Sequence, residues 1–125
     1  MKYQGYKDLK VFQLAYKLAM RIFEATKAFP KEEKYSLTDQ IRRSSRSITA
    51  NLAEGWKKRN YPKLFVNKLI DATGEAGETE VWLQYSYDCG YINNDKYIYF
   101  INGYDEVNRM LYSMIAKPEK FCPQL

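Results

Sequence analysis

Histidine is absent from this sequence of 125 residues, and its absence excludes several classes of function. Without it there is no histidine general base, no Ser-His-Asp triad, no histidine zinc ligand and no Glu-x-x-His di-iron site. The two cysteines, Cys89 and Cys122, are too few for a structural zinc site. We therefore predict a protein that is not an enzyme and that needs no cofactor and no metal.

Glycine and proline are scarce, at 6 and 4 residues, which argues against a turn-rich β protein. No run of about 18 apolar residues is present, so no membrane-spanning helix is expected. The opening residues, MKYQGYKDLKVF, lack the apolar stretch of a signal peptide. We therefore expect a cytoplasmic protein whose two thiols are reduced.

Apolar residues recur at steps of three and four along most of the chain, which is the spacing of amphipathic helices. The length suits one domain over residues 1–125. Helices are predicted at about residues 8–29, 37–58, 61–89 and 95–116. Because the connections are short, neighbouring helices should be antiparallel. The predicted fold is an all-α, antiparallel up-down four-helix bundle.

The first predicted helix has a wide apolar face made of two neighbouring lines, Leu9, Phe12, Tyr16, Ala19, Phe23 and Thr26, and Val11, Ala15, Leu18, Ile22, Ala25 and Phe29. Each of the other three helices has one inward seam. The seam of the second is Leu37, Ile41, Ser44, Ile48, Leu52 and Gly55; that of the third is Phe65, Leu69, Ala72, Ala76, Thr79, Leu83 and Ser86; that of the fourth is Phe100, Tyr104, Val107, Leu111 and Met114. The small residues of the second seam should let a neighbouring helix approach closely.

The predicted helix ends depend on a few residues. Ser36 and Asn60 are candidate N-caps, and Gly90 is expected to be left-handed at the end of the third helix. Gly103 lies inside the fourth helix and predicts a kink or a close contact. The final residues 121–125 are expected to be loose.

Charge is unevenly distributed along the chain. Residues 41–68 hold eight Lys or Arg and one acid, a net charge of +7, whereas residues 69–90 hold five acids and no base, a net charge of −5. Adjacent segments of opposite sign suggest salt-linked packing within one chain or between chains.

The basic segment supplies the candidate nucleic-acid-binding residues: Arg42, Arg43, Arg46, Lys57, Lys58, Arg59 and Lys63. Arginine forks match phosphate oxygens, and a row of cations displaces counterions from a phosphate backbone. Trp56 and Tyr61, which lie among these cations, could stack on bases. The alternatives are a solvated basic face or salt bridges to the acidic third helix, with both aromatics in the core or an interface.

The acidic segment supplies candidate interface or structural residues, which are Glu54, Gly55, Asp71, Glu75, Glu78 and Glu80. Asp71, Glu75 and Glu78 lie on one face of the third helix, where their charges repel one another unless nearby cations neutralise them. Glu80 lies beside the apolar seam and needs a cation or a donor. A metal site made of carboxylates alone is an alternative, but such helical pairs are usually solvated.

Three stretches carry a resemblance to a known family. They are residues 37–55 (LTDQIRRSSRSITANLAEG), residues 72–83 with Glu78 and Glu80, closed by GYI at residues 90–92, and the opening YKDLKVF with Ala15 and Tyr16. The chain resembles, from about residue 6 to 117, the four-helix-bundle proteins encoded in intervening sequences of bacterial large-subunit ribosomal RNA genes. It is also similar to the accessory proteins of diversity-generating retroelements.

This resemblance implies a ring-shaped homo-oligomer, with five subunits, and nucleic-acid association for some members. The twelve tyrosines are consistent with subunit interfaces, although their rings could also lie over the bundle surface. Glu75 and Gly77 depart from the small or apolar residues of relatives, which should alter helix or subunit contacts.

Two hypotheses about function follow. The first is a non-enzymatic oligomer that binds structured RNA or DNA by shape, through backbone phosphates and the basic surface of the second helix. The alternative is a structural or adaptor ring that binds a protein partner and uses the same arginines in subunit salt bridges. In either case we expect the basic second helix to meet the acidic third helix of the same or the next chain.

Overall fold

Four α-helices make up most of the protein. A computed structural model describes residues 3–123. The helices are α1 (Lys10–Thr26), α2 (Leu37–Lys57), α3 (Pro62–Asp88) and α4 (Asn94–Ala116), with 3-10 turns at Tyr6–Asp8, Lys31–Glu33 and Pro118–Lys120. Residues 3–123 contain no strand, and the predicted all-α class is confirmed. Within the same range, no helix combines the length and apolarity needed to cross a bilayer.

The helices are arranged in the predicted up-down order. Each helix packs on the one that follows it, and α4 closes the bundle against α1. The diagonal pairs, α1 with α3 and α2 with α4, are not neighbours in the described part of the chain. As a result, the outer faces of α1 and α3 point away from each other on opposite sides of the molecule.

The predicted seams form the core. Every seam residue named above for α2, α3 and α4 is buried. The inward line of α1 consists of Val11, Ala15, Leu18, Ala19, Ile22 and Thr26. Tyr16, which the same spacing could place inward, is 54% exposed. The helical period therefore identified the buried face of each helix, with its largest error on the wide apolar face of α1.

Helix α1 is shorter than predicted at both ends. Its first residue is Lys10 because Leu9 has an extended backbone and Tyr6–Asp8 form a separate 3-10 turn. At the other end, the backbone N–H groups of Lys27, Ala28 and Phe29 donate to carbonyls three residues back, so the chain tightens before Pro30. The other helices begin and end within one residue of the prediction.

Glu33, rather than the predicted Ser36 side chain, closes the start of α2. The Glu33 carboxylate accepts a hydrogen bond from the Ser36 hydroxyl at 2.6 Å and from the Leu37 N–H at 3.4 Å. The Tyr91 hydroxyl donates to the same carboxylate at 2.9 Å. The Ser36 and Tyr91 hydrogen bonds lower the pKa of Glu33. Helix α3 begins at Pro62, with Tyr61 rather than Asn60 at the cap position.

Gly90 ends α3 as predicted. Its φ of +77° is the left-handed conformation, and the Tyr91 N–H donates to the Ser86 carbonyl at 2.8 Å. Ile92, two residues beyond, is buried against the core. The sequence therefore signalled this turn through a glycine followed by an apolar residue.

Small residues bring α2 and α3 close together. The Thr79 hydroxyl donates to the Ser44 hydroxyl at 2.8 Å inside the core. A Cβ atom on Gly55 would lie 3.0 Å from the Cβ atom of Lys68. Gly55 is therefore a packing residue of the bundle, and the expectation of a close approach along α2 is confirmed.

The chain after α4 corrects one expectation. Residues 121–125 were expected to be loose, yet Cys122 is buried and the Phe121 ring lies 5.7 Å from the Tyr3 ring and 6.3 Å from the Phe65 ring. The hydrophobic end of the bundle holds these residues because Phe65 and Trp56 would otherwise be open to water. Residues 124 and 125 lie outside the described residues.

The substitution Tyr104→Phe is expected to stabilise the protein. Tyr104 is fully buried, and within residues 3–123 its hydroxyl has no hydrogen-bond partner. An unsatisfied buried hydroxyl costs about 1–3 kcal/mol, so its removal should raise the free energy of unfolding by about 1 kcal/mol. Urea denaturation measures this change.

Tyr91→Phe is the matched control, because its hydroxyl donates to Glu33 and its removal should destabilise the protein. A loss of stability in Tyr104→Phe, equal to that of the control, would contradict the prediction.

Candidate nucleic-acid interface

The seven predicted cations separate into two groups at opposite ends of α2. The first group, with neighbours that the sequence did not single out, lines a cleft of 520 Å³, which we name the arginine cleft: Lys34, Tyr35, Thr38, Asp39, Arg42, Arg43 and Arg46. The second group, Lys57, Lys58, Arg59 and Lys63, surrounds the α2–α3 connection and is named the turn cluster. Eleven helical residues, about 16 Å, separate Arg46 from Lys57.

Arg42 joins the arginine cleft to the end of α1. Its Nε donates to the Thr26 hydroxyl at 2.8 Å, and a terminal nitrogen lies 3.5 Å from the Phe23 carbonyl. Thr26 is buried and donates in turn to the Ile22 carbonyl at 2.8 Å. A cation at the negative end of the α1 dipole is favourable. Arg42 therefore has a structural role, and only part of its guanidinium faces the cleft.

The Phe23 ring orients the cations around it. The guanidinium carbons of Arg42 and Arg46 lie 4.8 and 5.7 Å from the ring centroid, and Lys27 Nζ lies 4.8 Å from it. Cations over an aromatic face gain about 0.5–1 kcal/mol at exposed sites. Arg46 is therefore held beside Arg42, while it remains exposed to solvent.

Arg43 is bound to α3. Its Nη2 lies 2.6 Å from a Glu78 oxygen, and the same oxygen accepts a hydrogen bond from Trp82 Nε1 at 3.2 Å. About half of the Arg43 side chain remains exposed. The expected contact between the basic α2 and the acidic α3 therefore exists within one chain, at this pair.

The turn cluster contains one packed arginine and three exposed lysines. The Arg59 guanidinium lies 3.6 Å from the Trp56 ring centroid, and its Nη1 donates to the Trp56 carbonyl at 3.1 Å. Burial lowers the pKa of Arg59. Because Trp56 is buried beneath Arg59, it is not available to stack on a base. Lys57, Lys58 and Lys63 are exposed, and so is Tyr61.

Two of the predicted acidic residues, Glu54 and Glu80, have partners on a neighbouring helix. Glu54 pairs with Lys68 at 2.8 Å, which lowers the pKa of Glu54 and raises that of Lys68. This pair has the polarity opposite to the expected one, because the acid is on α2 and the base on α3. Glu80 accepts a hydrogen bond from the Asn108 amide at 3.1 Å, a donor of the kind that its position required.

Asp71 and Glu75 line an open groove between α2 and α3, together with Ser47, Asn51, Ile70, Gly74 and Glu78. Asp71 is exposed. Glu75 Oε1 is buried and has no hydrogen-bond partner within residues 3–123. In the same part of the chain, no three His, Cys, Asp or Glu side chains gather as ligands for a metal ion.

Sequence reasoning missed Lys34, Tyr35 and Phe23 as parts of this site. Lys34 and Tyr35 lie just before α2, in a connection without helical periodicity. Phe23 belongs to α1 and reads as an ordinary apolar position. Only the packing of α1 against α2 brings its ring to the arginines, so no local signal could have identified it.

Comparison with known proteins gives a consistent result. A family described as 23S rRNA-intervening sequence protein matches residues 7–113. A crystal structure of a protein of unknown function from the S23 ribosomal protein family of Bacteroides thetaiotaomicron is 34% identical in sequence, with a TM-score of 0.76. The match covers 85% of this chain and 95% of that one. No protein with a curated description matches the sequence.

Proposed function

Because the chain belongs to the family of 23S rRNA-intervening sequence proteins, we propose that it is a non-enzymatic, cytoplasmic protein that binds structured RNA or DNA. The arginine cleft carries this proposal. Four cations line it, Lys34, Arg42, Arg43 and Arg46, and Asp39 is its one acid. A concentration of positive charge in a concave surface attracts phosphates more strongly than the same charges spread over a convex one.

Backbone phosphates are the chemistry that this cleft fits best. Arginine forks bind phosphate oxygens with two parallel hydrogen bonds. The ring of Phe23 restrains two of the arginines, so less side-chain entropy is lost when they bind. None of the described helices presents a base-reading motif, which favours recognition of shape over sequence.

The adaptor hypothesis assigns the same arginines to salt bridges between subunits. Arg43 is already paired with Glu78 within one chain, so it is less available for either role. Lys34 and Arg46 make no ion pair in the described part of the chain. These two residues therefore distinguish the hypotheses better than Arg42 or Arg43 does.

Replacing Lys34 and Arg46 together by alanine is expected to weaken nucleic-acid binding and its salt dependence. Each lost phosphate contact reduces the slope of log K against log salt by about 1, so the double variant should lose about 2. The measurement is the anisotropy of a labelled RNA hairpin and of a DNA duplex, titrated with the full chain between about 50 and 200 mM salt.

Lys57→Ala with Lys58→Ala is the matched control, since it removes the same charge from exposed positions of the turn cluster. The control should change the slope much less. An equal loss in both variants would indicate general attraction by net charge and would overturn the assignment to the cleft. Absence of salt-dependent binding by the wild-type chain would favour the adaptor hypothesis.

We further propose that the protein self-associates through the outer stripe of α3, defined as Ile70, Gly74, Gly77, Val81 and Tyr85. Ile70, Val81 and Tyr85 are about half exposed. A Cβ atom on Gly74 or Gly77 would meet nothing within 4 Å. Each glycine costs the helix about 1 kcal/mol relative to alanine. A close contact with a helix of another molecule would offset that cost.

The outer face of α1 in a second copy fits this stripe. It presents exposed Tyr16 and Met20 beside the cations Lys17 and Arg21. The α3 stripe is flanked by the acids Asp71 and Glu75, and the buried Glu75 oxygen lacks a partner within the described chain. Apolar surface and charge of opposite sign are therefore matched between the two faces.

The position of these faces defines the kind of assembly. Since α1 and α3 lie on opposite sides of the bundle, contact between them is head to tail, which produces either a closed ring or an open filament. The family resemblance implies a ring of five. In such a ring the arginine clefts of all subunits would repeat around one axis and act together on one ligand.

A further inference from the structure

Tyr35 is the most exposed of the large hydrophobic side chains in residues 3–123, at 84%. It follows the Lys31–Glu33 turn and precedes α2. Its ring packs on no other aromatic ring of the described chain, and its one cationic neighbour is Lys34 Nζ, 5.3 Å from the centroid. The Tyr35 ring is therefore held by few contacts within the bundle and is accessible from solvent.

Two other aromatic rings beside the cations, Phe23 and Trp56, are covered. Phe23 lies beneath Arg42 and Arg46. Trp56 is 5% exposed, with Arg59 over its face and the Tyr3 ring against it. Tyr35 is the one aromatic residue that lines the arginine cleft, and at 84% exposure its ring is accessible to a ligand.

The two ends of the cleft differ in chemistry, one being aromatic and acidic and the other basic. Tyr35 and Asp39 line the end next to the connection, while the arginines line the end farther along the helix. Asp39 repels a phosphate but accepts hydrogen bonds from a base amine or a ribose hydroxyl. Thr38, which is 8% exposed, lies at the same end as Tyr35 and Asp39, and within residues 3–123 its hydroxyl has no partner.

A nucleotide has the same two ends, a flat base and an anionic phosphate. We infer that Tyr35 is a stacking platform for an unpaired base whose backbone phosphates are held by Arg42, Arg43 and Arg46. This inference rests on the proposed function and narrows its ligand. The cleft takes unpaired nucleotides, in a single strand or in the loop of a folded RNA, in preference to an uninterrupted duplex, whose stacked bases cannot reach the ring.

The cleft has the dimensions for such a ligand. Its 520 Å³ lies within the range of small-ligand pockets, about 300–1,000 Å³. From Leu37, the first residue of α2, to Arg46 there are about two and a half helical turns, or about 14 Å, and Tyr35 lies just before this stretch. This length accommodates one stacked base and the phosphates of the nucleotides next to it.

The test compares Tyr35→Ala with the wild-type chain on two probes, an unstructured single-stranded RNA and a perfect RNA duplex of the same length. Tyr35→Ala is expected to weaken binding of the single strand by about tenfold, because stacking on an aromatic ring has effects of this order. Duplex binding should change by less than about twofold, and the salt slope should stay the same because no charge is removed. Tyr35→Phe should keep single-strand binding.

Tyr112→Ala, which removes a 60% exposed ring of α4 that does not line the cleft, is the matched control and should leave the binding of both probes unaffected. Suppose that the wild-type chain binds with salt dependence. If Tyr35→Ala then leaves the affinity for both probes unchanged, or lowers it equally for both, this inference is overturned and the proposed function stands. If the wild-type chain binds neither probe, both are overturned. Circular dichroism confirms folding of each variant, since neither ring belongs to the core.

Discussion

Gly103→Val is expected to destabilise the bundle by about 3 kcal/mol. A Cβ atom at Gly103 would lie 2.7 Å from Leu18 Cδ2 and 2.9 Å from Leu18 Cδ1. Leu18 is 1% exposed, so its side chain is packed within the core. Overfilling a packed core costs about 1–3 kcal/mol, and a branched side chain at this contact should reach the upper end of that range. Chemical denaturation monitored by circular dichroism measures the loss.

Two further variants test the steric cause. In dilute, monomeric protein, Gly77→Val places the same side chain where no atom lies within 4 Å, so stability should change by less than about 0.5 kcal/mol. Leu18→Ala should compensate in part, and the double variant with Gly103→Val should be less destabilised than the sum of the two single variants. Strict additivity would show that α1 and α4 do not meet closely at Gly103.

Gly74→Leu combined with Gly77→Leu is expected to stabilise one chain while it prevents assembly. Leucine is a better helix former than glycine by about 0.8 kcal/mol, so the two changes should raise the free energy of unfolding of the isolated chain by about 1–2 kcal/mol. The same side chains would hold a second helix away from α3. We expect self-association to weaken at least about a hundredfold, equivalent to about 3 kcal/mol.

Sedimentation of the native particle, with and without nuclease treatment, measures this effect and separates protein assembly from bridging by nucleic acid. Ala50→Leu is the control, because Ala50 is exposed on α2, outside the outer stripe of α3. A glycine variant that is more stable yet assembles like the wild type would remove the outer stripe from the interface. A wild-type chain that is monomeric at all concentrations would contradict the assembly altogether.

The bundle was predictable because burial in a helix repeats with the helical period. The seam from Phe65 to Ser86 needs no knowledge of its partners, since each step of three or four residues returns the chain to the same face. Gly90 was equally predictable, because its signal lies within four residues. Such features are determined by residues close together in sequence, so the sequence alone is sufficient to predict them.

The charged residues of the candidate site could be predicted, but their contacts could not, because those contacts join residues far apart in sequence. Charge placed Arg42, Arg43 and Arg46 among the candidates, but the way each is held depends on residues far along the chain. Arg42 reaches Thr26, and Arg43 reaches Glu78 on a third helix. Such contacts follow from the relative rotation of packed helices, which periodicity does not determine.

Two errors have the same origin. Trp56 lies among cations in the sequence and was a candidate for stacking on bases, yet it is buried at the bundle end beneath Arg59. Phe121 and Cys122 follow a proline and were expected to be loose, yet the same bundle end holds them. In both cases, burial depends on the packing of distant segments at the bundle end beside the α2–α3 connection. The local sequence of each segment does not indicate that packing.

The stacking of Tyr3 on Phe121 has a practical consequence for how the molecule can be handled. It brings the first and last described segments together beside the α2–α3 connection. The arginine cleft lies at the far end of α2, a helix of 21 residues, about 30 Å long. A linker attached to either segment would therefore orient immobilised molecules uniformly, with every cleft directed away from the support. A short peptide joining the two segments would also permit a circular permutant opened elsewhere, with all four helices kept whole.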